Sequence, residues 1–190
     1  FDELQRLSKA NAQIDAELRL PLVTIALSSL RQLSKSQYAL FKQNFNKVIA
    51  LDKKINLFEW ALQKILFHHL ESVFAKNGMR IGKRDIKRHA DEASVLLSIL
   101  AHSNPQQDIS TDDAFRKGAD LLQIKSKLVP IAEINFEILN AAIDTLAELK
   151  PLQKPALLKA CAACITADQK IAPIEAELLR AIAATLDCPM

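Results

Sequence analysis

Two stretches of the chain decide how it is read: Ile49-Ala50-Leu51-Asp52-Lys53-Lys54-Ile55-Asn56-Leu57-Phe58-Glu59 and Ile165-Thr166-Ala167-Asp168-Gln169-Lys170-Ile171-Ala172-Pro173-Ile174-Glu175. Laid over one another without a gap, they match at the isoleucine, the aspartate, the lysine, the second isoleucine and the glutamate. The match extends outward, with Leu33 on Leu149, Gln37 on Gln153, Leu62 on Leu178 and Leu70 on Leu186. Each copy, 33–70 and 149–186, reads as an apolar helix, an Asp-x-Lys-Ile turn and a second helix with Glu in its first turn. The repeated object is therefore a supersecondary unit. A pair of amphipathic helices cannot bury its own apolar face, so the two copies are expected to pack together.

Around the repeats the chain divides into a helical lead-in at 1–32, the first repeat at 33–75, a helical insertion at 76–148 and the second repeat at 149–190, forming one unit. In the lead-in, Leu4, Leu7, Ile14 and Leu18 make a narrow apolar stripe that Pro21 is expected to end. The apolar run 22–30 then reads as a short helix buried on most sides. Ser34-x-x-Gln37 and Asn56-x-x-Glu59 have the spacing of capping boxes at helix starts. The insertion holds a long loop rich in cations, a helix over 86–102, a short helix over 111–123 led by Asp112 and Asp113, and a helix opening at Pro130. That last helix would bear Ile131, Ile134, Ile138, Ala141, Ala142, Leu146 and Leu149 on one side. No segment alternates apolar and polar residues as a half-buried strand does, so the fold class is all-α with about eight helices.

Composition agrees. With 49% apolar residues, 25% charged residues and three glycines in 190, the chain resembles ordinary helical proteins. It is long enough to bury about 70% of its unfolded surface without metal or disulfides. A net charge of +3 is too small to argue for nucleic acid as a partner. Three cysteines leave one unpaired in any disulfide scheme, which suits a reducing compartment. The longest apolar stretches, such as 95–101, are far shorter than the roughly 20 residues a membrane-spanning helix needs. A chain opening Phe1-Asp2-Glu3 reads as part of a longer polypeptide, in which any membrane anchor lies upstream.

The chemistry-bearing residues are sparse. Asp52, Glu59, Asp168 and Glu175 suggest a cation loop, but a calcium loop of the EF-hand kind carries its bidentate Glu about eleven residues after the first Asp. Here it follows after seven (52 to 59, 168 to 175), and Lys54 and Lys170 occupy the third position. These four are weak metal candidates, better read as turn and cap residues. Cys161-Ala-Ala-Cys164 has redox or zinc spacing but lacks a second ligand pair. Its cysteines fall on Phe45 and Val48 of the first copy, which makes them core positions. His68-His69 is not followed by a zinc-protease HExxH pattern, and GxSxG, P-loop and GxGxxG motifs are absent. The cations Lys76, Arg80, Lys83, Arg84, Lys87 and Arg88 form a candidate membrane or partner surface. No aromatic residues are interleaved among them to stack on bases.

Several segments carry a resemblance. Leu20-Pro21-Leu22-Val23 with Leu30-Arg31-Gln32-Leu33, Leu57-Phe58-Glu59-Trp60, and Ala160-Cys161-Ala162-Ala163-Cys164-Ile165 with Glu175 to Ala183 resemble the C-terminal region of bacterial membrane-bound zinc metallopeptidases related to HtpX and the CAAX prenyl proteases. The hairpin with its acidic loop is similar to TerB-like helical domains, although Lys53 and Gln169 stand where such loops usually have Gly. The resemblance implies a cytoplasmic accessory domain at the inner membrane, whose partner is its own upstream protease domain. Zinc and the catalytic HExxH helix would lie there and not in this sequence, so no cofactor and no catalytic residue is expected here. The alternative it leaves open is a free-standing TerB-like stress-response domain binding divalent cations through its acidic loops.

Overall fold

A computed structural model describes residues 6, 14–51, 57–74, 82–103 and 109–188. Among these, every regular element is helical: α1 (Ala16–Leu30), α2 (Lys35–Leu51), α3 (Leu57–Phe74), α4 (Ala90–His102), α5 (Thr111–Leu122), α6 (Phe136–Ala147), α7 (Lys154–Ile165) and α8 (Pro173–Thr185). Single 3-10 turns lie at Ile86–Arg88, Ile131–Glu133 and Thr166–Asp168. The all-α reading stands.

The helix starts follow from local chemistry. Ser34 and Gln37 exchange bonds as a capping box at α2: the Ser34 amide donates to Gln37 Oε1 at 2.8 Å, and the Gln37 amide donates to Ser34 Oγ at 3.3 Å. Ser110 Oγ accepts from the Asp113 amide at α5, and Asn135 Oδ1 accepts from the Ile138 amide at α6. Pro173 occupies the first position of α8, where a missing amide hydrogen costs nothing.

The main core lies between α4, α5, α6, α7 and α8 and one side of α3, with Leu96, Leu97, Ile143, Leu146, Leu157, Leu178 and Ile182 fully buried. The helices of the insertion thus supply the body of the core. A smaller cluster joins Leu27 of α1 to Leu66 and Leu70 of α3, with Tyr38, Phe41, Phe45 and Phe74 around it. Helix α3 bridges the two. Trp60, Ala61 and Ile65 turn to the main core while Leu66 and Leu70 turn to the small one. Trp60, with no exposed surface, donates its indole N–H to Asn140 Oδ1 of α6 at 3.1 Å.

Three expectations fail. Pro21 lies inside α1 and does not end a helix before it. It falls near the start, where the ring removes one amide bond from a helix that packing and the downstream turns sustain. Nor is 22–30 buried on most sides. Val23, Leu27 and Leu30 face the small cluster, but Leu18 (54% exposed), Leu22 (44%) and Ile25 (68%) form a second stripe turned to solvent. Apolar composition alone cannot say which side of such a helix finds a partner. Last, Pro130 opens only a 3-10 turn, and extended backbone at Ile134 and Asn135 separates it from α6. The buried side of α6 is therefore Leu139, Ala142, Ile143 and Leu146, with Ile131 and Ile138 exposed. A similar adjustment splits 86–102 into a 3-10 turn and α4.

The second helices of the two sequence-related pairs, α3 and α8, pack extensively on each other. Their first helices differ. Helix α7 is driven into the core against α5 and α4, whereas among the described residues α2 touches little besides α3 and has no fully buried side chain.

Candidate functional site

The acidic turn can be judged from its second copy, since Asp52 of the first lies outside the described residues. Asp168 Oδ1 accepts the Lys170 amide at 3.0 Å, the bond of an Asx turn. Gln169 takes the left-handed region at φ 64°, which glycine would occupy without strain. Glu175 Oε2 accepts the Ala172 amide at 2.7 Å, and the Glu175 amide returns a bond to the Ala172 carbonyl at 3.0 Å. Alanine has no side-chain acceptor, so this is half a capping box closed by backbone. Glu175 is 2% exposed and its Oε1 has no hydrogen-bond partner. Burial raises its pKa, against the lowering effect of the Ala172 amide, with Asp168 adding to the rise. A further cation already serves the turn: Lys117 of α5 donates its ammonium to the Ala167 carbonyl at 2.6 Å. Among the described residues, no three His, Cys, Asp or Glu side chains converge as metal ligands. Glu59 is half-buried in the first turn of α3, apart from this turn.

Cys161 and Cys164 are free and buried. Burial raises the Cys161 thiol pKa strongly and pushes Cys164 up to about 12, which leaves both as inert thiols at neutral pH. Their small size matters more. Gly118 of α5 faces Ala160 and Cys164 so closely that a Cβ there would stand 2.7 Å from the Ala160 carbonyl oxygen and 3.1 Å from the Cys164 Cβ. The CxxC spacing belongs to this close helix crossing.

The cationic run is partly structural. Lys76 and Arg80 lie outside the described residues. From Gly82 onward the segment is clamped to the turn between α6 and α7: the Arg84 amide donates to the Glu148 carbonyl and the Lys150 amide to the Arg84 carbonyl, each at 3.0 Å, making an isolated parallel bridge. Gly82 fits because any Cβ would sit 2.0 Å from the Leu149 carbonyl oxygen. Side chains close the clamp. Arg84 pairs with Glu148 at 2.7 Å, Lys150 pairs with Asp85 at 3.0 Å, and the Ile86 amide donates to Gln153 Oε1 at 3.0 Å. The Lys150 and Lys87 bonds hold the Asp85 carboxyl down to about 2. Lys83, Lys87 and Arg88 remain exposed, and Lys83 and Arg88 join Arg84, His89 and Lys150 around a shallow depression of about 440 Å3. Lys150, remote in sequence, belongs to the basic face and was not among the cations read from the run.

Sequence reasoning also missed a ladder on α4. The Lys127 amide donates to Ser94 Oγ at 3.1 Å, the Val129 amide donates to Ser98 Oγ at 2.9 Å, and His102 Nε2 lies 3.1 Å from the Val129 carbonyl oxygen. Ser94, Ser98 and His102 stand four residues apart on one helix face, the only signal available for it. This ladder pins the extended chain before α6.

No helix among the described residues is long and apolar enough to cross a membrane. Comparison with protein-family models, with curated proteins and with solved structures finds no match to this chain.

Proposed function

We propose that the chain is a non-catalytic accessory domain acting through protein or membrane-surface contacts, in a membrane-bound zinc metallopeptidase of the kind its sequence resembles. In that reading zinc and catalysis belong to the upstream protease portion, and this domain stands at the cytoplasmic side of the inner membrane. The observation that supports it best is the basic face: Lys83, Lys87 and Arg88 are exposed on a segment that five inter-segment bonds hold in place. A fixed backbone presenting free cations is suited to an anionic headgroup layer, where each nearby cation contributes about 1 kcal/mol. Co-sedimentation with vesicles containing phosphatidylglycerol tests it. Reversing Lys83, Lys87 and Arg88 to Glu, with Arg84 left to keep the clamp, should abolish binding at moderate salt. Unchanged binding by the triple variant, or none by the parent, removes the membrane-surface reading.

The TerB-like, divalent-cation reading draws on one observation, the unpartnered buried Oε1 of Glu175 beside Asp168. Against it, Lys117 already donates to the turn carbonyl where a cation would be drawn. Calorimetric titration with calcium, magnesium and zinc separates the two, since a capping carboxyl gives no specific heat of binding.

A further inference from the structure

A groove between α1, α3 and α8 collects basic side chains from three separate parts of the sequence. Its narrower part, about 230 Å3, is lined by apolar Val23, Leu27 and Ile65 and by Arg31, His69 and Arg180. His69, Arg180 and Ala184 also line a wider bowl of about 780 Å3 that His68 and Asp187 help to enclose. The bowl alone has the size of a small-molecule pocket.

Its charge is unbalanced. Among the described residues, no carboxylate lies within 4.0 Å of either guanidinium, Arg31 or Arg180. The one acid in the bowl, Asp187, is 3.7 Å from His68 and 3.8 Å from the buried Lys154 ammonium. The effect is felt locally: burial, then His68, then Arg31, all lower the tendency of His69 to take a proton. A second groove, between α2, α3 and α6, makes the contrast. There Lys42 pairs with Glu71 and Lys64 with Asp144, so its charges cancel internally.

Two unpaired guanidinium groups facing one depression form a fork that fits a carboxylate or a phosphate oxygen pair. Beside them the wall is apolar at Val23, Leu27 and Ile65, with the small hydroxyls of Thr24 and Ser28 between, and the Ser28 hydroxyl already donates to the Ile25 carbonyl. We propose that the groove between α1, α3 and α8 binds a small organic anion, a carboxylate or phosphate monoester bearing a short apolar chain. Arg31 and Arg180 take the head, and Val23, Leu27 and Ile65 cover the chain. This inference does not rest on the protease reading.

Calorimetric titration of the intact chain with octanoate, octyl phosphate and inorganic phosphate tests it. Saturable binding of octanoate or octyl phosphate is expected, the tighter of the two identifying the head group. Inorganic phosphate should bind at least tenfold more weakly than octyl phosphate. Arg31→Met and Arg180→Met should each weaken the organic anion at least tenfold, while Arg88→Met on the basic face leaves it unchanged. Ala184→Phe, which fills the groove from the half-buried last turn of α8, should abolish binding without lowering the melting temperature and so covers the case in which an arginine variant fails to fold. No saturable binding of either organic anion overturns the proposal. So does equal affinity for inorganic and octyl phosphate, or retention of full affinity in Arg31→Met, Arg180→Met and Ala184→Phe.

Discussion

Helices α2 and α7 open the two sequence-related pairs at matching positions, yet they live in different surroundings. Leu157 of α7 is fully buried; its counterpart in α2, Phe41, is only half covered. Cys161 is buried where Phe45 is partly exposed. The difference comes from neighbours. Helix α7 meets α5 across Gly118 and needs small residues to do so, while α2 fills its looser site with large rings: Phe45 meets Phe67 edge-on at 5.3 Å and Tyr38 stacks on Phe74 at 4.4 Å. Two stretches related in sequence are thus stabilised in two ways, by close backbone approach in the second and by aromatic side chains in the first.

The largest expected effect separates the two sites directly. Leu157→Ala should cost about 2–5 kcal/mol in denaturant unfolding, because a fully buried leucine leaves a cavity. Phe41→Ala should cost about 1–2 kcal/mol, since part of its ring already meets water. Equal losses would mean that the packing contrast is not real. The helix crossing comes next. Gly118→Ala forces a methyl against the Ala160 carbonyl and should cost about 1–3 kcal/mol by the same measurement. An unchanged midpoint would show that α5 and α7 can separate without penalty.

The turn after α7 supplies two smaller tests. Gln169 holds a left-handed conformation that costs a side-chain-bearing residue about 1–2 kcal/mol, partly offset for glycine by the greater freedom of its unfolded chain. Gln169→Gly should therefore stabilise by about 0.5–1 kcal/mol, and a loss of stability would contradict the observed backbone. Glu175 gives a pH signature. Its folded pKa is raised by burial above the ordinary 4.5, so the folded state binds the proton more tightly than the unfolded chain does. Stability should be fullest below 4.5 and decline as pH rises through the raised value. Glu175→Gln, which keeps an acceptor for the Ala172 amide, should flatten that decline in unfolding curves taken across the acid range. A parallel decline in both proteins would assign it to another group.

Much of this was legible from residue pattern. Helical periodicity gave the class, Ser34 with Gln37 and Pro173 gave helix starts, and the alignment of Cys161 and Cys164 with Phe45 and Val48 placed both cysteines inside. Other features could not be read. The exposed stripe Leu18, Leu22 and Ile25 has the same spacing as the buried stripe Val23, Leu27 and Leu30, and nothing local distinguishes them. The register of α6 depends on a 3-10 turn and two extended residues whose cost is met by the ladder from α4. Arg31, His69 and Arg180 carry no motif, because the groove they line joins three helices.

What the amino-acid order determined by itself is local: where helices begin, which turns bend, and which residues are apolar enough to be candidates for the interior. These depend on bonds and torsions within a few residues. What only the tertiary structure decided is which apolar face finds a partner, which cations find an acid and which are left facing a groove. Those outcomes depend on residues distant in sequence, such as Gly118 against Ala160 or Arg84 against Glu148, and burial or pairing exists only once both sides are in place.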